Sequence, residues 1–509
     1  VDSRERTTQT REKRVNFPSL LFEPSARAAG VPLRTLAALV LASVLAGCAS
    51  GPDFNRPAPP AVQSYTAVPV PEQTVSATTT LGEAQRFHTG TDVGAKWWRN
   101  LGSPALDALI EQALEGSPTL AAAQATLRQA QEIQAAQSGS TRYPQIDADL
   151  RAQRQRLNPS AQGLEGDSHD FNLYSAGAVV RYQPDLSGGK RRALEALAAR
   201  AEYRHYELEG ARLDLTAAIV TTAITQARLA GQLQSVETIL AAQDEQLHLT
   251  RERVRLGNAA PDEVLSLQAR VEQTRADVPL LRHQRQQNEH RLAVLAGRAP
   301  GTGGLPTFTL DEFTLPVELP LVLPSELVRR RPDIQAAEAL LHVANAEYGV
   351  SVAKMYPQLN LSASLGSQVL STGALFGSGS AVWSLIGELT QSLFNPGLPA
   401  EKRASLAALD AAAANYQSVV LESLRNVADT LRAVENDALT LSALATADSA
   451  AQGALQSVEG QYSLGAASYV QLLIAQQQAQ EARIDLIGAQ AQRLADSVTL
   501  YQAMGGGVE

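Results

Sequence analysis

Two stretches of this chain are written twice at one separation, and that duplication limits the fold more than any other feature. Arg142-Tyr143-Pro144-Gln145-Ile146 returns as Met355-Tyr356-Pro357-Gln358-Leu359, and Leu256-Gly257-Asn258-Ala259-Ala260 returns as Leu464-Gly465-Ala466-Ala467-Ser468. Pro118-Thr119-Leu120 answers Pro332-Asp333-Ile334. Each pair lies about 210 residues apart, so the chain is a tandem duplication and an element found in one half has a counterpart in the other. A Pro- and Gly-rich bridge near 299–325 joins a first repeat, 96–310, to a second, 311–509.

Each half reads as a short helix, an alternating segment, a loop, a second alternating segment, a long helix, a Gly break and a medium helix. The long helices are predicted over roughly 190–257 and 400–464, and about 65 residues at 1.5 Å each reach on the order of 100 Å. No ordinary globular domain holds such a rod. Companion helices near 118–142 and 260–297 in the first half, and 332–355 and 467–504 in the second, each add up to just over ~60 residues. Two short helices stacked end to end therefore match one long one. That arithmetic predicts the wall of a long antiparallel helical cylinder, with turns at Gly257 and Gly465 forming one extreme end. Aromatic residues are only 5% of the chain, so helix packing falls to small and straight side chains. Leu464, Val470, Leu473 and Ile474, apolar at helical spacing, read as core or as an oligomer seam.

The alternating segments belong to a different class of structure. From Gln358 to Leu365 every odd position is apolar and every even one polar, the period of a two-faced strand. Trp383, Leu385, Leu389 and Leu393 continue the pattern beyond a loop at 371–380, and 145–156 with 171–184 make a weaker first-half hairpin. Segments of about 12–14 residues exceed the 9–11 that a tilted membrane-spanning strand needs. A solvated two-stranded hairpin is the competing reading, because such patterns are weak one at a time. If these strands are in a membrane, their sheet must close, since an open edge leaves backbone groups unpaired in hydrocarbon. Four strands cannot close. Two chains would give eight, whose interior side chains fill; three would give twelve, wide enough for a lumen.

Thr35–Gly47 is a short apolar run led by Arg34 and ended by Cys48, too short to span a bilayer and shaped like the core of an export signal. Leu45-Ala46-Gly47-Cys48 resembles the bacterial lipobox, and Cys48 is the single cysteine of the chain. Residues 1–47 are therefore expected to be a signal peptide with an atypical N-terminal extension. Cys48 is expected to carry the lipid, the only covalent addition foreseen. Residues 48–95, rich in Pro, Thr, Ala and Val, are expected to be an extended periplasmic segment on that anchor. Ala49 after the cysteine resembles the outer-membrane rather than the inner-membrane sorting signal.

Catalytic readings find little support. Leu186-Ser187-Gly188-Gly189-Lys190 resembles the signature loop of ABC ATPases, but no phosphate loop of the form G-x-x-x-x-G-K-[ST] accompanies it, so it reads as a turn. His283 and His290 lie seven apart without an i, i+4 partner, a solvated helix face rather than a metal site. With 43 basic against 52 acidic residues the formal charge is −9, which argues against nucleic acid as a partner. No enzyme, cofactor or metal is expected.

Other residues carry a resemblance. Gly47-Cys48 with Gly51-Pro52-Asp53-Phe54 and Arg56-Pro57, then Trp97-Trp98, then Arg330-Arg331-Pro332-Asp333-Ile334-Gln335-Ala336-Ala337-Glu338 with Ala344-Asn345-Ala346 and Tyr356-Pro357, resemble the TolC-type outer-membrane factors. Within them the match is to the NodT/OprM-like lipoprotein branch that serves resistance-nodulation-division pumps. The resemblance implies a mixed α/β membrane channel: a homotrimer with a 12-stranded β-barrel, four strands per chain, continuous with a long periplasmic α-helical barrel. Its implied partners are outer-membrane lipid, a periplasmic adaptor and an inner-membrane efflux pump. The implied function is a passive export duct for small molecules. The outer duct of a type I protein secretion system and a pore-less periplasmic coiled-coil scaffold stay open beside it.

Adaptor docking would fall on the tips, Leu256-Gly257 and Leu464-Gly465. Some relatives close the duct with an aromatic and a basic residue near the second tip and rings of aspartates beyond it. This chain keeps the aromatic as Tyr462 but has Ala467 where the base would be, and Gln471 and Ile474 at the aspartate positions. In the first half Asp262 and Glu263 keep the acidity, with helix-start residues beside Pro261 as an equal reading.

Overall fold

The computed structural model describes residues 50–90, 93–159, 163 and 165–507, so Cys48 and the apolar run before it lie outside the described residues. In chain order the regular elements are β1 (Arg86–Thr89), α1 (Pro104–Gly116), α2 (Pro118–Arg142), β2 (Gln145–Leu157), β3 (His169–Tyr182), α3 (Gly189–Arg255) and α4 (Pro261–Leu295). The second repeat supplies β4 (Glu318–Leu321), the single turn α5 (Pro324–Leu327), α6 (Pro332–Ala353), β5 (Gln358–Val369), β6 (Ala381–Thr390), α7 (Gly397–Ser463) and α8 (Tyr469–Ala503). Local chemistry sets the starts. Ser103 and Ser117 accept from the Leu106 and Leu120 amides, and each is followed by a proline at the first helical position.

Helices α3 and α7 are 67 residues each, and their companions are 25 and 35 residues in the first repeat and 22 and 35 in the second. Both α2 and α4 pack along α3, and both α6 and α8 pack along α7. The expected end-to-end joints are present in both repeats. At the first, a Cβ on Gly297 would sit 2.6 Å from the Gly116 carbonyl, so the end of α4 abuts the start of α2. At the second, Arg331 is 9% exposed and its Nη1 donates to the Ala503 carbonyl at 2.9 Å, closing the last turn of α8. Its other nitrogens hold both oxygens of Asp333 in the first turn of α6, at 3.0 and 2.7 Å. The Arg331-Pro332-Asp333 motif is thus the joint itself: a cation on a helix C-terminus tied to an anion on the next N-terminus.

The sheet order is β2-β3-β5-β6, antiparallel throughout, so the two hairpins of the two repeats lie side by side. The strands run 13, 14, 12 and 10 residues. The last is shorter than the pattern predicted: it ends at Thr390, and Leu393 falls in the loop before α7. Asn395 and Pro396 open α7 there, and a proline has no N–H to give the ladder.

The core sits where the inter-repeat bridge and the N-terminal segment wrap the helices. Phe308 and Phe313 of the bridge are buried with Trp97, Trp98, Ile110 and Tyr501. Trp97 stacks on Tyr501 at 5.4 Å. Residues 50–95 carry little regular structure, but they are no free spacer. β1 pairs in parallel with β4, and Arg493 of α8, 1% exposed, donates to the carbonyls of Leu81 and Glu83 at 3.0 and 2.6 Å. Along α3 the buried positions are largely Ala, Thr and Gln, as the low aromatic content required.

Candidate functional site

Among the described residues no helix is long and apolar enough to cross a membrane. The sheet's register sorts the side chains into two faces. Ile146, Val180, Ala363 and Leu385 share one row, and Ala148, Ala178, Leu365 and Trp383 the next. These positions form one face, and Ile146, Leu150, Leu365, Trp383, Leu385 and Leu389 on it are 65–83% exposed. Over 146–152, 174–182, 359–369 and 381–389 this face holds no ionisable side chain except the phenols of Tyr174 and Tyr182. The opposite face carries Asp147, Asp149, Arg151, Gln153, Asn360, Ser362 and Glu388. There Arg181 pairs with Asp147, and Ser364 and Ser384 share a hydrogen bond at 2.8 Å. An apolar band on one side and a polar, charged surface on the other is what a closed barrel needs between lipid and a wet lumen.

The helical ends opposite the sheet are a matched pair. At Gly257 φ is +77° and at Gly465 it is +78°, the left-handed conformation that ends a helix. Gly257 donates to the Val254 carbonyl and Asn258 to Arg253; Gly465 donates to Tyr462 and Ala466 to Gln461. Both turns are Schellman motifs, and among the described residues nothing beyond the adjoining backbone comes within 4 Å of a Cβ built on either glycine. Leu256 and Leu464 beside them are 62% and 85% exposed, as are Val470 and Ile474 on the following helix, at 62% and 52%.

Three of the sequence-predicted gate residues are engaged locally. Glu263 reaches back to the Ala260 amide at 3.4 Å, and Gln471 accepts from the Ser468 amide at 2.7 Å, so both serve as helix caps. Tyr462 is held by Arg253, whose Nη1 donates to the phenol oxygen at 2.7 Å. Asp262 stays exposed in the first turn of α4. The base lies not in the second repeat, where Ala467 stands at the expected place, but in the first, as Arg253. Its signal was the run Arg251, Arg253, Arg255 at the end of α3. Tyr469, 6.1 Å from Tyr462, buries a hydroxyl with no partner among the described residues, and burial raises its pKa.

A third constellation holds the N-terminal segment. Arg192, 3% exposed at the start of α3, donates from Nε to the Ser50 carbonyl at 3.1 Å and from Nη2 to Asp53 at 2.6 Å; its Nη1 holds Glu195 at 2.7 Å. Glu195 meets His342 Nε2 at 2.9 Å, and Phe54 stacks on that imidazole at 4.3 Å. Arg56 pairs with Glu338 at 2.5 Å, and Asn345 donates to the Pro52 carbonyl. Burial pushes the Glu195 carboxyl up, but the bonds from Arg192 and His342 outweigh it and hold it below the usual range. Only glycine fits at 349, where a Cβ would stand 2.8 Å from the Ser50 carbonyl and 2.9 Å from the Arg192 side chain. The Gly51-Pro52-Asp53-Phe54 and Ala344-Asn345-Ala346 motifs are therefore two sides of one clasp.

The chain matches the outer membrane efflux protein family over residues 109–298 and 323–506, one match in each repeat. It belongs to that family. Among curated relatives, the pyoverdine export outer membrane protein OpmQ of Pseudomonas aeruginosa is 30% identical over 417 residues, 81% of this chain and 87% of that protein. The probable efflux pump outer membrane protein TtgC of Pseudomonas putida is 29% identical over 93% of this chain and 95% of its own. Among solved structures, the outer-membrane channel OprN superposes with a TM-score of 0.81 at 27% identity, covering 90% of this chain and 99% of that one. The TolC-like fold and the placing in the NodT-like lipoprotein branch follow. The protein is an outer-membrane efflux channel that reaches into the periplasm, with the exposed apolar face of its sheet toward lipid.

Proposed function

We propose that three copies of this chain form the passive outer duct of a resistance-nodulation-division efflux system exporting small molecules, docked through its tips on a periplasmic adaptor. The observation that carries the docking is the pair of Schellman turns, each with a solvent-exposed leucine beside an unobstructed glycine backbone. In a trimer they would form a ring of six alike contacts. The relatives OpmQ and TtgC are named for pyoverdine export and for an efflux pump. That naming supports small-molecule cargo over secreted protein. Cysteine placed at Leu464 should cross-link to the adaptor in cells actively effluxing, and not to a control cysteine at the exposed Leu340. Cross-linking only between channel copies would remove the tip from the docking surface.

Lipidation of Cys48 belongs to the same reading. The clasp on Ser50–Arg56 would hold the chain beginning two residues after that cysteine against α3 and α6. Mass spectrometry finding Cys48 free of acyl chains in membrane-extracted protein would refute the anchor. For the closed end, Tyr462 with Arg253 forms the link between hairpins, Asp262 is the acid left free to face cations, and Glu263 and Gln471 hold the tip's shape. Asp262→Asn should weaken block by multivalent cations in planar bilayers, and Glu263→Gln should not.

A further inference from the structure

We propose that Arg154 and Arg156 form a binding site on the outside of the barrel for the phosphorylated headgroup of an outer-leaflet glycolipid, one site per chain. Helices α2 and α3 join the sheet at Gln145 and Tyr182, so the turn between β2 and β3 is the end remote from the periplasm. Strands β2 and β3 stay paired in that direction past the last β3–β5 pair, Tyr174 with Val369, out to Leu157 opposite His169. On its lipid-facing side the even positions run Ile146, Ala148, Leu150, Ala152 and then Arg154 and Arg156.

Height places the arginines. The apolar face spans Leu359 to Val369 on β5, ten steps of about 3.3 Å, or roughly 25 Å of height at a strand tilt near 40°. Its upper row is Ala152, Tyr174 and Val369, with the phenol of Tyr174 at the level where aromatic side chains border a bilayer. Arg154 and Arg156 stand two and four residues beyond, about 5 and 10 Å higher, within the headgroup layer. They point the way the apolar band points. Arg151, one residue from the band's last row, points into the lumen instead.

Among the described residues their charge is only partly met. Both guanidinium groups face a single carboxylate, Asp170, at 3.6 and 3.8 Å, beyond hydrogen-bonding reach, and their side chains are 73% and 71% exposed. When the sheet closes with copies of itself, free edge β2 meets β6 of the next chain. The β5–β6 connection, 370–380, carries no ionisable side chain, so no acid arrives from that side. Two forked donors about 5 Å apart in height on one face of one strand, sharing a single carboxylate and facing outward at a lipid surface, suit a phosphate monoester or diphosphate, whose oxygens accept bidentate arginine bonds.

The test uses the full-length trimer exchanged into nanodiscs containing a bisphosphorylated outer-membrane glycolipid or the same glycolipid enzymatically dephosphorylated, with bound lipid read by native mass spectrometry. Wild type should retain the phosphorylated form at least ten-fold better, and Arg154→Gln/Arg156→Gln should lose that preference while Arg151→Gln keeps it. Equal retention of both glycolipids by wild type overturns the proposal, without reference to any variant. A preference unchanged in the double variant overturns the assignment to these residues. Displacement of the glycolipid by millimolar inorganic phosphate alone would make this a free-anion site and reject the lipid. Should the double variant fail to trimerise, Arg154→Lys/Arg156→Lys keeps the charge, loses the forked donors and should show an intermediate preference.

Discussion

Arg253, in the last turn of α3, lies over the ring of Tyr462 in the last turn of α7, its Cζ 5.4 Å from the ring centroid while Nη1 bonds the phenol oxygen. The contact joins the ends of the two long helices, 209 residues apart in sequence. Opening the duct by splaying these ends would have to break it. Exposed pairs of this kind are worth roughly 0.5–1 kcal/mol each, so three copies acting together would bias closure by about 2 kcal/mol. Arg253→Gln should therefore raise single-channel conductance or open probability several-fold in planar bilayers. Tyr462→Phe, which keeps the ring and loses the acceptor, should do so less. Conductance unchanged in both variants would reduce the pair to decoration of a fixed tip.

Substitution at Gly465 separates docking from folding. The added side chain meets open space, so the cost is the left-handed backbone alone, about 1–2 kcal/mol for a non-glycine residue. A trimer built on 67-residue helices should tolerate that. Gly465→Trp is expected to abolish efflux complementation with trimer level on a native gel unchanged. Loss of the trimer itself would show that the turn matters for folding and leave docking unsupported.

Much of this fold could be read from the sequence because duplication doubles every signal. A weak hairpin in one half is supported by Gln358–Leu365 in the other, and the long helices and their companions begin within a few residues of the expected places. The site was less legible, for physical reasons that differ by residue. Tyr462 was found through its spacing from Gly465, but its partner comes from the other repeat, and no spacing rule connects residues across a bundle. Glu263 reads equally as a gate group or a helix-start residue, and Gln471 sits at an aspartate position; their reach-back bonds to 260 and 468 depend on side-chain direction, which spacing does not give. Residues 50–95 read as a spacer by composition, since proline-rich chain looks alike whether solvated or packed. Gln85 and Thr74, fully enclosed with Arg493, carry no compositional mark of burial.

The clasp predicts a strong dependence on Arg192. Arg192→Met leaves the Ser50 carbonyl and the Glu195 carboxylate without their buried donor, a loss of about 3 kcal/mol. The segment 50–56 should detach before the helices melt, becoming cleavable by a nonspecific protease under conditions where wild type resists. Resistance equal to wild type would mean that Phe54 on His342 and Arg56 on Glu338 suffice to hold it.

Asp437 on α7 and Asp496 on α8 give the channel a pH dependence. Burial, and then the neighbouring Asp496 carboxylate, pushes the Asp437 carboxyl up to about 8, while Arg493 pulls weakly the other way. Gln492 donates to Asp496 at 2.9 Å, but Asp437 Oδ2 is buried with no donor among the described residues. Asp437 is therefore satisfied when it keeps its own proton. An acid whose folded pKa lies above its unfolded value of about 4 stabilises the fold fully below pH 4 and loses that contribution as pH rises through 8. With both groups partly solvated the change is about 1–2 kcal/mol, after allowance for screening. The trimer's melting temperature should fall between pH 6 and 9. Asp437→Asn, which carries a neutral amide at every pH, should flatten that fall and melt higher than wild type at pH 9. A wild-type profile already flat over this range would show the Asp437 carboxylate ionised and solvated between α7 and α8.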